Sequence, residues 1–399
     1  MAERVVFVEG VRTPFGRMGG SLKDFTAVDV AALAIRGLLE KTQIQERKKV
    51  DCVFLGSAIG DVKSYGPARF SALAAGLPAD TSASYVEMQC GSAIDAINHA
   101  AWKIMAGCAD IIIAGGMESH SQSYAKFSMA VQPYKKLPPM PVPQQGSPIK
   151  EDCIPMLEVS DRMAKEWGIS RLECDEFALR SQMRAKAAMD KGFFKHEIVP
   201  VTIPGGKKTP PRVFDTDEHP RPNSSLEGLA ALEPVRPGGV TTAGNASGLN
   251  DGAAMVLMMS ESCASRLGYR PYAAWVTGAD CGTDPKSLIG PAYSNLTAMK
   301  RAGLTMEDIS VFECNEAFAA QNLSVIREME KLSQKKIDQA LWNPNGGAIA
   351  FGHPNGASGG RIAIFTMHEL ERSGGRYGMF SSCCGGGMGV TTIIENLRR

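Results

Sequence analysis

Six glycines and one histidine fall within one short stretch near the C-terminus, Gly346-Gly347-Ala348-Ile349-Ala350-Phe351-Gly352-His353-Pro354-Asn355-Gly356-Ala357-Ser358-Gly359-Gly360. This stretch constrains the fold more than any other. With so few side chains, the backbone here must pass close to other backbone or turn through positive φ. Pro354 fixes φ directly after the histidine. Residues 357–370 then read as a helix whose N-terminus points back at the loop, a place where negative charge is favoured. A lone histidine in a glycine turn is ordinarily a satisfied structural residue. Two further loops, each carrying a cysteine, weigh the other way.

The rest of the chain alternates strand-like and helix-like segments. Residues 5–9 read as a strand, 27–41 as a helix, 50–56 as a strand and 67–75 as a helix. Residues 84–93 run a strand into a turn, 94–107 form an alanine-rich helix, and 109–114 form an apolar strand ending at Gly115-Gly116-Met117-Glu118. Such alternation predicts an α/β sheet covered on both faces. Between Ser119 and Gly239 the pattern breaks: Leu137-Pro138-Pro139-Met140-Pro141-Val142-Pro143 suits neither a regular helix nor a central strand. Residues 163–191 read as helix broken near Gly168, and 204–222 are polar and turn-rich, so the region is an inserted loop domain. Residues 252–260 return to strand, and from Ala273 the opening pattern repeats. Ala-Asp-Ile-Ile-Ile-Ala-Gly-Gly-Met at 109–117 is echoed by Met-Phe-Ser-Ser-Cys-Cys-Gly-Gly-Gly-Met at 379–388. A duplicated fold with its two glycine-rich strand ends about one cleft is the economical expectation.

Length and charge set the class. At 399 residues the chain exceeds one ordinary domain, and a net charge of +1 gives no reason to expect nucleic acid or an anionic membrane as partner. No apolar run spans a bilayer, the N-terminus lacks the pattern of a signal or transit peptide, and the cytoplasm is the expected location. None of the ten cysteines forms a Cys-x-x-Cys pair, so neither a metal site nor a redox motif is expected and most thiols should be small buried core residues.

Two cysteines have different surroundings. Cys90 comes where a strand turns into a helix, followed by Gly91 and Ser92. A thiol there feels the positive end of the helix dipole, which favours thiolate, and the neighbouring N–H groups suit an oxyanion; the competing reading is a buried helix cap. Cys383 ends a strand before Gly385-Gly386-Gly387, whose exposed N–H groups form an anion-binding nest, while Cys384 faces the other way. Asn315 follows the strand at 309–312 and either orients a water or caps a helix. Two cysteines, a histidine and an asparagine thus all sit at strand ends or tight turns, where open α/β sheets bind ligands.

On these residues the chain resembles the thiolases over nearly its whole length (acetyl-CoA C-acetyltransferase and 3-ketoacyl-CoA thiolase). The matching motifs are Val11-Arg12-Thr13-Pro14-Phe15-Gly16, Cys90-Gly91-Ser92, Ala114-Gly115-Gly116-Met117-Glu118-Ser119, Thr242 to Ala254, Asn315-Glu316-Ala317-Phe318-Ala319, the His353 loop, and Cys383 with its glycines. The resemblance implies a thiolase fold: two similar mixed-sheet βαβαβαββ halves with helices between them, plus the inserted loop domain. Residues 1–120 with 248–272 would form the N-terminal half, 121–247 the loop domain for coenzyme A and subunit contacts, and 273–399 the C-terminal half. It implies Cys90 as the acylated nucleophile, His353 as its base, Cys383 as the proton carrier of Claisen chemistry, and Asn315 as holder of a water that helps bind the enolate oxygen. The Cys90 and Gly385 backbone N–H groups would form the other oxyanion hole. Arg221, Ala243, Ser247, Phe318 and Met156 would contact coenzyme A or substrate. The activity implied is reversible acyl transfer between acyl-CoA and acetyl-CoA within fatty acid metabolism and β-oxidation, with coenzyme A thioesters as substrates and no cofactor, in a homodimer or homotetramer. The stretch at 137–143 would supply a contact between subunits.

The bottom-up chemistry agrees: a thiolate attacks a thioester to give an acyl-enzyme, and proton removal beside a thioester needs a positioned base and a stabilised enolate oxygen. Three departures bear on chain length and coenzyme A contacts: Val86-Glu87-Met88-Gln89 before the nucleophile, Pro155-Met156-Leu157 in place of the usual His-Met-Gly, and Gly228 in place of a serine. A ketoacyl synthase-type condensing enzyme would pair its cysteine with two histidines or with histidine and asparagine. A non-catalytic acyl-CoA- or lipid-binding relative would have lost one of the four polar residues.

Overall fold

The computed structural model describes residues 3–128, 131–132, 135–136, 139–142, 145–206 and 209–399. Of the proline-rich stretch at 137–143, residues 137, 138 and 143 lie outside the described residues. Met140–Pro141 pairs antiparallel with Phe127–Ser128, and both lie exposed.

One mixed sheet runs through the chain, and its order displays the duplication. On one side Val5–Arg12 is followed outward by Asn250–Ser260, Ile111–Ser119, Cys52–Gly56 and Ser82–Val86. On the other, Ala273–Gly282 is followed by Met388–Asn396, Tyr377–Cys384 and Ile309–Cys314. In each half the first strand pairs antiparallel with the last, and the parallel pairs lie outside. The halves join where Val6 and Phe7 pair with Ala274 and Ala273. The second half lacks its outermost strand: only a bridge from Phe312 to Trp342 stands there, because Asn343 takes a φ of 46° and Pro344 follows.

Alternating side chains show why the strands read as continuous apolar runs. Along Asn250–Ser260, Ala253, Met255, Leu257 and Met259 pack outward with the helices Ala27–Thr42 and Pro67–Ala74. Ala254, Val256 and Met258 face inward and pack with the helices Ser92–Met105 and Asn355–Ser373. Along Tyr377–Cys384, Phe380 and Cys384 also face that buried middle layer, while Met379 and Cys383 face the outer helices Gly290–Ala302 and Ala319–Ser333. Five layers result, and the two middle helices carry the turns of interest at their N-termini. The opposite facing of Cys383 and Cys384 is as the strand period requires.

Helices and strands otherwise lie close to the expectations, with differences at their ends. The helix expected over 94–107 is Ser92–Met105, and the one expected over 163–191 is split into Met156–Glu166 and Arg171–Asp190 around Gly168, whose φ is 61°. The stretch at 204–222, expected as polar and turn-rich, contains one strand of a small hairpin, Arg212–Phe214, which pairs with Val201–Ile203. The buried Arg12 fastens this region to the first strand: its guanidinium donates to Glu197 Oε1 at 2.6 Å and to both Asp217 oxygens at 2.7 and 2.9 Å. Among the described residues no helix is long and apolar enough to cross a membrane, and no cluster of three His, Cys, Asp or Glu could hold a metal ion.

Candidate active site

Cys90 lies in the 3₁₀ turn Gln89–Gly91, ahead of the helix Ser92–Met105. Gln89 has a φ of 49°, in the left-handed region that costs a non-glycine residue about 1–3 kcal/mol. Glu87 holds it there, its Oε1 accepting from the Gln89 N–H at 2.8 Å and from Nε2 at 2.7 Å. The acidic departure before Cys90 therefore has a local structural role. Ser92 Oγ donates to the Gln89 carbonyl at 2.6 Å and accepts from the Met88 N–H at 2.9 Å, closing the turn. The backbone N–H groups of Cys90 and Gly385 both act on the thiol sulfur in the direction that favours thiolate. Gly386 and Gly387, with φ of 82° and 77°, turn the chain after Tyr377–Cys384.

The expectation of an acidified Cys90 thiol is corrected. Burial of the sulfur, and next the charge of Glu118, push the thiol up to about 12 against the pull of those N–H groups. Desolvation outweighs the helix end because a dipole terminus is worth at most about 2 kcal/mol.

His353 is buried in the turn before Asn355–Ser373. Its backbone N–H donates to the Gly248 carbonyl and to Asn250 Oδ1, each at 3.1 Å. Its Nδ1 meets Ser358 Oγ at 2.6 Å, and that hydroxyl donates to the Pro354 carbonyl at 3.1 Å. With its proton spent, Ser358 Oγ accepts from Nδ1–H, which assigns the tautomer and leaves a lone pair on Nε2. Burial, then the charges of His120 and Arg361, push the imidazole down to about 3. The free site thus pairs a neutral thiol with a neutral imidazole.

Asn315 follows Ile309–Cys314, fully buried, and its Nδ2 donates to His353 Nε2 at 3.3 Å. It is not a helix cap, since Phe318 precedes the helix Ala319–Ser333. Its Oδ1 is buried without a protein partner. Cys383 is buried, and its thiol is pushed well above the usual range by burial and then by Cys90. Ser382 Oγ donates to the Cys90 carbonyl at 3.3 Å, tying that strand end to the Cys90 turn. Cys90, His353, Asn315 and Cys383 therefore converge from both halves, and only Cys90 keeps partial exposure.

A surface cleft is lined by Arg17, Gln182, His219, Arg221, Gly228 and Ala243, among others. Arg221 and Ala243 thus share one cleft, whereas Ser247, Phe318 and Met156 are outside its lining. Ser247 adjoins it along the chain: its N–H donates to the Ala317 carbonyl at 3.0 Å, Ala246 bridges to Phe318, and Leu249 bridges to His353. The segment 243–249 thereby leads from the cleft to the imidazole. Met156 opens the helix Met156–Glu166 and is exposed. Sequence reasoning passed over Ser358, Glu118, His120 and Asn355. All four lie within or beside quoted motifs; Ser358 meets His353 and Pro354 nearby in sequence, whereas the partners of the other three come from distant parts of the chain.

The chain belongs to the thiolase family: the model described as thiolase, N-terminal domain, matches residues 5–262, and that described as thiolase, C-terminal domain, matches 269–396. It is an acyltransferase. A β-ketoadipyl-CoA thiolase of Acinetobacter baylyi is 41% identical, with 98% of each chain covered, and an acetyl-CoA acetyltransferase of Chromobacterium violaceum is 41% identical over 98% of this chain and 99% of the other. The structure of human mitochondrial 3-ketoacyl-CoA thiolase in complex with CoA superposes with a TM-score of 0.89 at 37% identity, covering 99% of each chain.

Proposed function

We propose that the protein catalyses reversible acyl transfer between acyl-CoA and acetyl-CoA, condensing to a 3-ketoacyl-CoA or cleaving it with coenzyme A, through an acyl-Cys90 intermediate. The observation that carries this is the assigned tautomer of His353, whose unprotonated Nε2 accepts a hydrogen bond from Asn315. The imidazole takes the Cys90 proton as the sulfur attacks the thioester carbon, and coenzyme A leaves. Backbone N–H groups of Cys90 and Gly385 receive the oxyanion. In the second half-reaction Cys383, made a thiolate by giving its proton to the departing coenzyme A sulfur, removes a proton from the acetyl-CoA methyl group. The enolate oxygen is held by His353 and by a water on Asn315, whose unpartnered Oδ1 suits such a guest. The carbanion then attacks the acyl carbon of acyl-Cys90, the carbon–sulfur bond breaks, and the Cys90 sulfur takes its proton back from His353.

Coenzyme A occupies the cleft of Arg221 and Ala243, with its pantetheine arm along Ser247 toward Phe318; Met156 is read as a further contact to coenzyme A or substrate. A second cleft, beside Gln89, is lined by Asp61, Tyr85, Glu87, Tyr124 and Lys126. Its polarity, and relatives named for β-ketoadipyl-CoA, favour an acyl group with polar ends over a long aliphatic one of the β-oxidation type. The reading includes a cytoplasmic location and a homo-oligomer, the latter supported by the exposed apolar side chains Met140 and Val142 in the proline-rich stretch and Phe127 on the strand paired with it.

Incubation with acetyl-CoA followed by peptide mass spectrometry tests the reading. Wild type and Cys383→Ala should carry an acetyl group on Cys90, and Cys90→Ser should carry none. Cys383→Ala should also fail to exchange deuterium into the acetyl-CoA methyl group. An adduct on another cysteine, or normal exchange in Cys383→Ala, would overturn the assignment.

A further inference from the structure

His120 and Asn355 take no part in the mechanism above, yet they reach the nucleophile. His120 follows the strand Ile111–Ser119 of the N-terminal half, and Asn355 is the first residue of the helix Asn355–Ser373 of the C-terminal half. His120 Nε2 meets Asn355 Oδ1 at 3.0 Å, and Asn355 Nδ2 points at Cys90 Sγ from 3.6 Å. The imidazole is buried, faced by the Glu118 and Asp251 carboxylates and by His353. With Nε2–H engaging Oδ1, the amide is held with its N–H groups toward the sulfur. Without that hold it is free to turn over and set an oxygen lone pair against the sulfur, which repels a thiolate.

We infer that Asn355 is a further catalytic residue, a side-chain N–H donor to the nucleophilic sulfur, and that His120 is the positioning residue that keeps the amide donating. The sulfur carries negative charge twice per cycle, when it attacks and when the acyl group leaves it. A hydrogen bond to the charged form lowers the cost of both moments. Two backbone N–H groups do not offset burial and Glu118 at this sulfur, so a third donor acts where the deficit lies.

The inference rests on Cys90 being the nucleophile. Acetylation of the wild type is therefore the control that separates failure of that reading from failure of this one. The experiment measures iodoacetamide alkylation of Cys90 at neutral pH by peptide mass spectrometry, together with kcat, KM for coenzyme A and the melting temperature. Asn355→Leu should slow alkylation about tenfold, the size expected for losing a hydrogen bond to a charged group. Kcat should fall alongside and KM should hold. His120→Ala should show a comparable loss, and His120→Gln, which keeps an N–H for Asn355 Oδ1, should recover most of it. If Asn355→Leu does not fold, Asn355→Ser, too short to reach the sulfur, carries the same expectation. Wild-type alkylation in the Asn355 variant and His120→Ala with only a lowered melting temperature would overturn the relay. So would a His120→Gln variant no better than His120→Ala.

Discussion

The turns before the two middle helices are counterparts in a duplicated fold, and they are closed to different degrees. Each abuts a glycine-rich strand end from the opposite half. At the His353 turn the glycines lie within the strand: Gly116 leaves no room for a Cβ beside the Gly356 carbonyl oxygen. Glu118 then takes the Gly356 N–H at 3.0 Å, the Ala58 N–H at 2.8 Å and Ser57 Oγ at 2.8 Å. At the Cys90 turn the glycines lie beyond the strand, and a Cβ on Gly385 would find its nearest atom, Gln89 Cγ, at 3.6 Å. One turn is sealed by backbone contact and immobilises the His353 imidazole through both ring nitrogens. The other stays open and leaves Cys90 partly exposed. Duplication supplied the geometry, and glycine placement made one copy a clamp and the other a mouth.

Substitutions that fill or unpair each turn test this contrast. The largest effect is expected from Gly116→Ala, whose methyl group must displace backbone of the opposite helix; it should cost at least about 3 kcal/mol and lower the melting temperature sharply. A variant as stable as wild type would show that the clamp yields.

Glu118→Gln should cost about 1–3 kcal/mol, because an amide cannot accept from all the donors that converge there. Its pH dependence has a definite sign. Burial raises the Glu118 carboxyl above its ordinary 4.5, so the folded protein holds the proton longer than the unfolded chain. Wild-type stability therefore falls as pH rises above about 4.5 through the folded value, a slope the glutamine variant lacks. Denaturant melts should show the gap between the two narrowing as pH rises; a gap that widens would contradict the burial account.

The smallest effect belongs to the open turn. Gly385→Ala should change stability by no more than about 0.5 kcal/mol, since the added methyl group makes only ordinary contact. A loss as large as that of Gly116→Ala would erase the difference between the turns.

Much of this fold was legible because the signals are local. Apolar runs such as Ile111–Ser119 and Asn250–Ser260 announce strands buried on both faces, and the glycines and Pro354 announce where the chain turns. Cys90, His353, Asn315 and Cys383 were legible as a set because each follows such a signal. The missing edge strand at Trp342 escaped, since one left-handed residue and a proline outweighed an otherwise suitable segment.

By itself, then, the sequence determined the alternation, the duplication and the residue types at each turn, all of which depend on neighbours along the chain. Tertiary structure alone decided their chemical state. Whether Cys90 is a thiol or a thiolate depends on Glu118 and on how much water its sulfur loses. Which His353 nitrogen carries the proton depends on Ser358 and Asn315, and the pairing of His120 with Asn355 joins opposite halves of the molecule. Charge and proton position respond to distance in space and to desolvation, and a linear pattern of residues encodes neither.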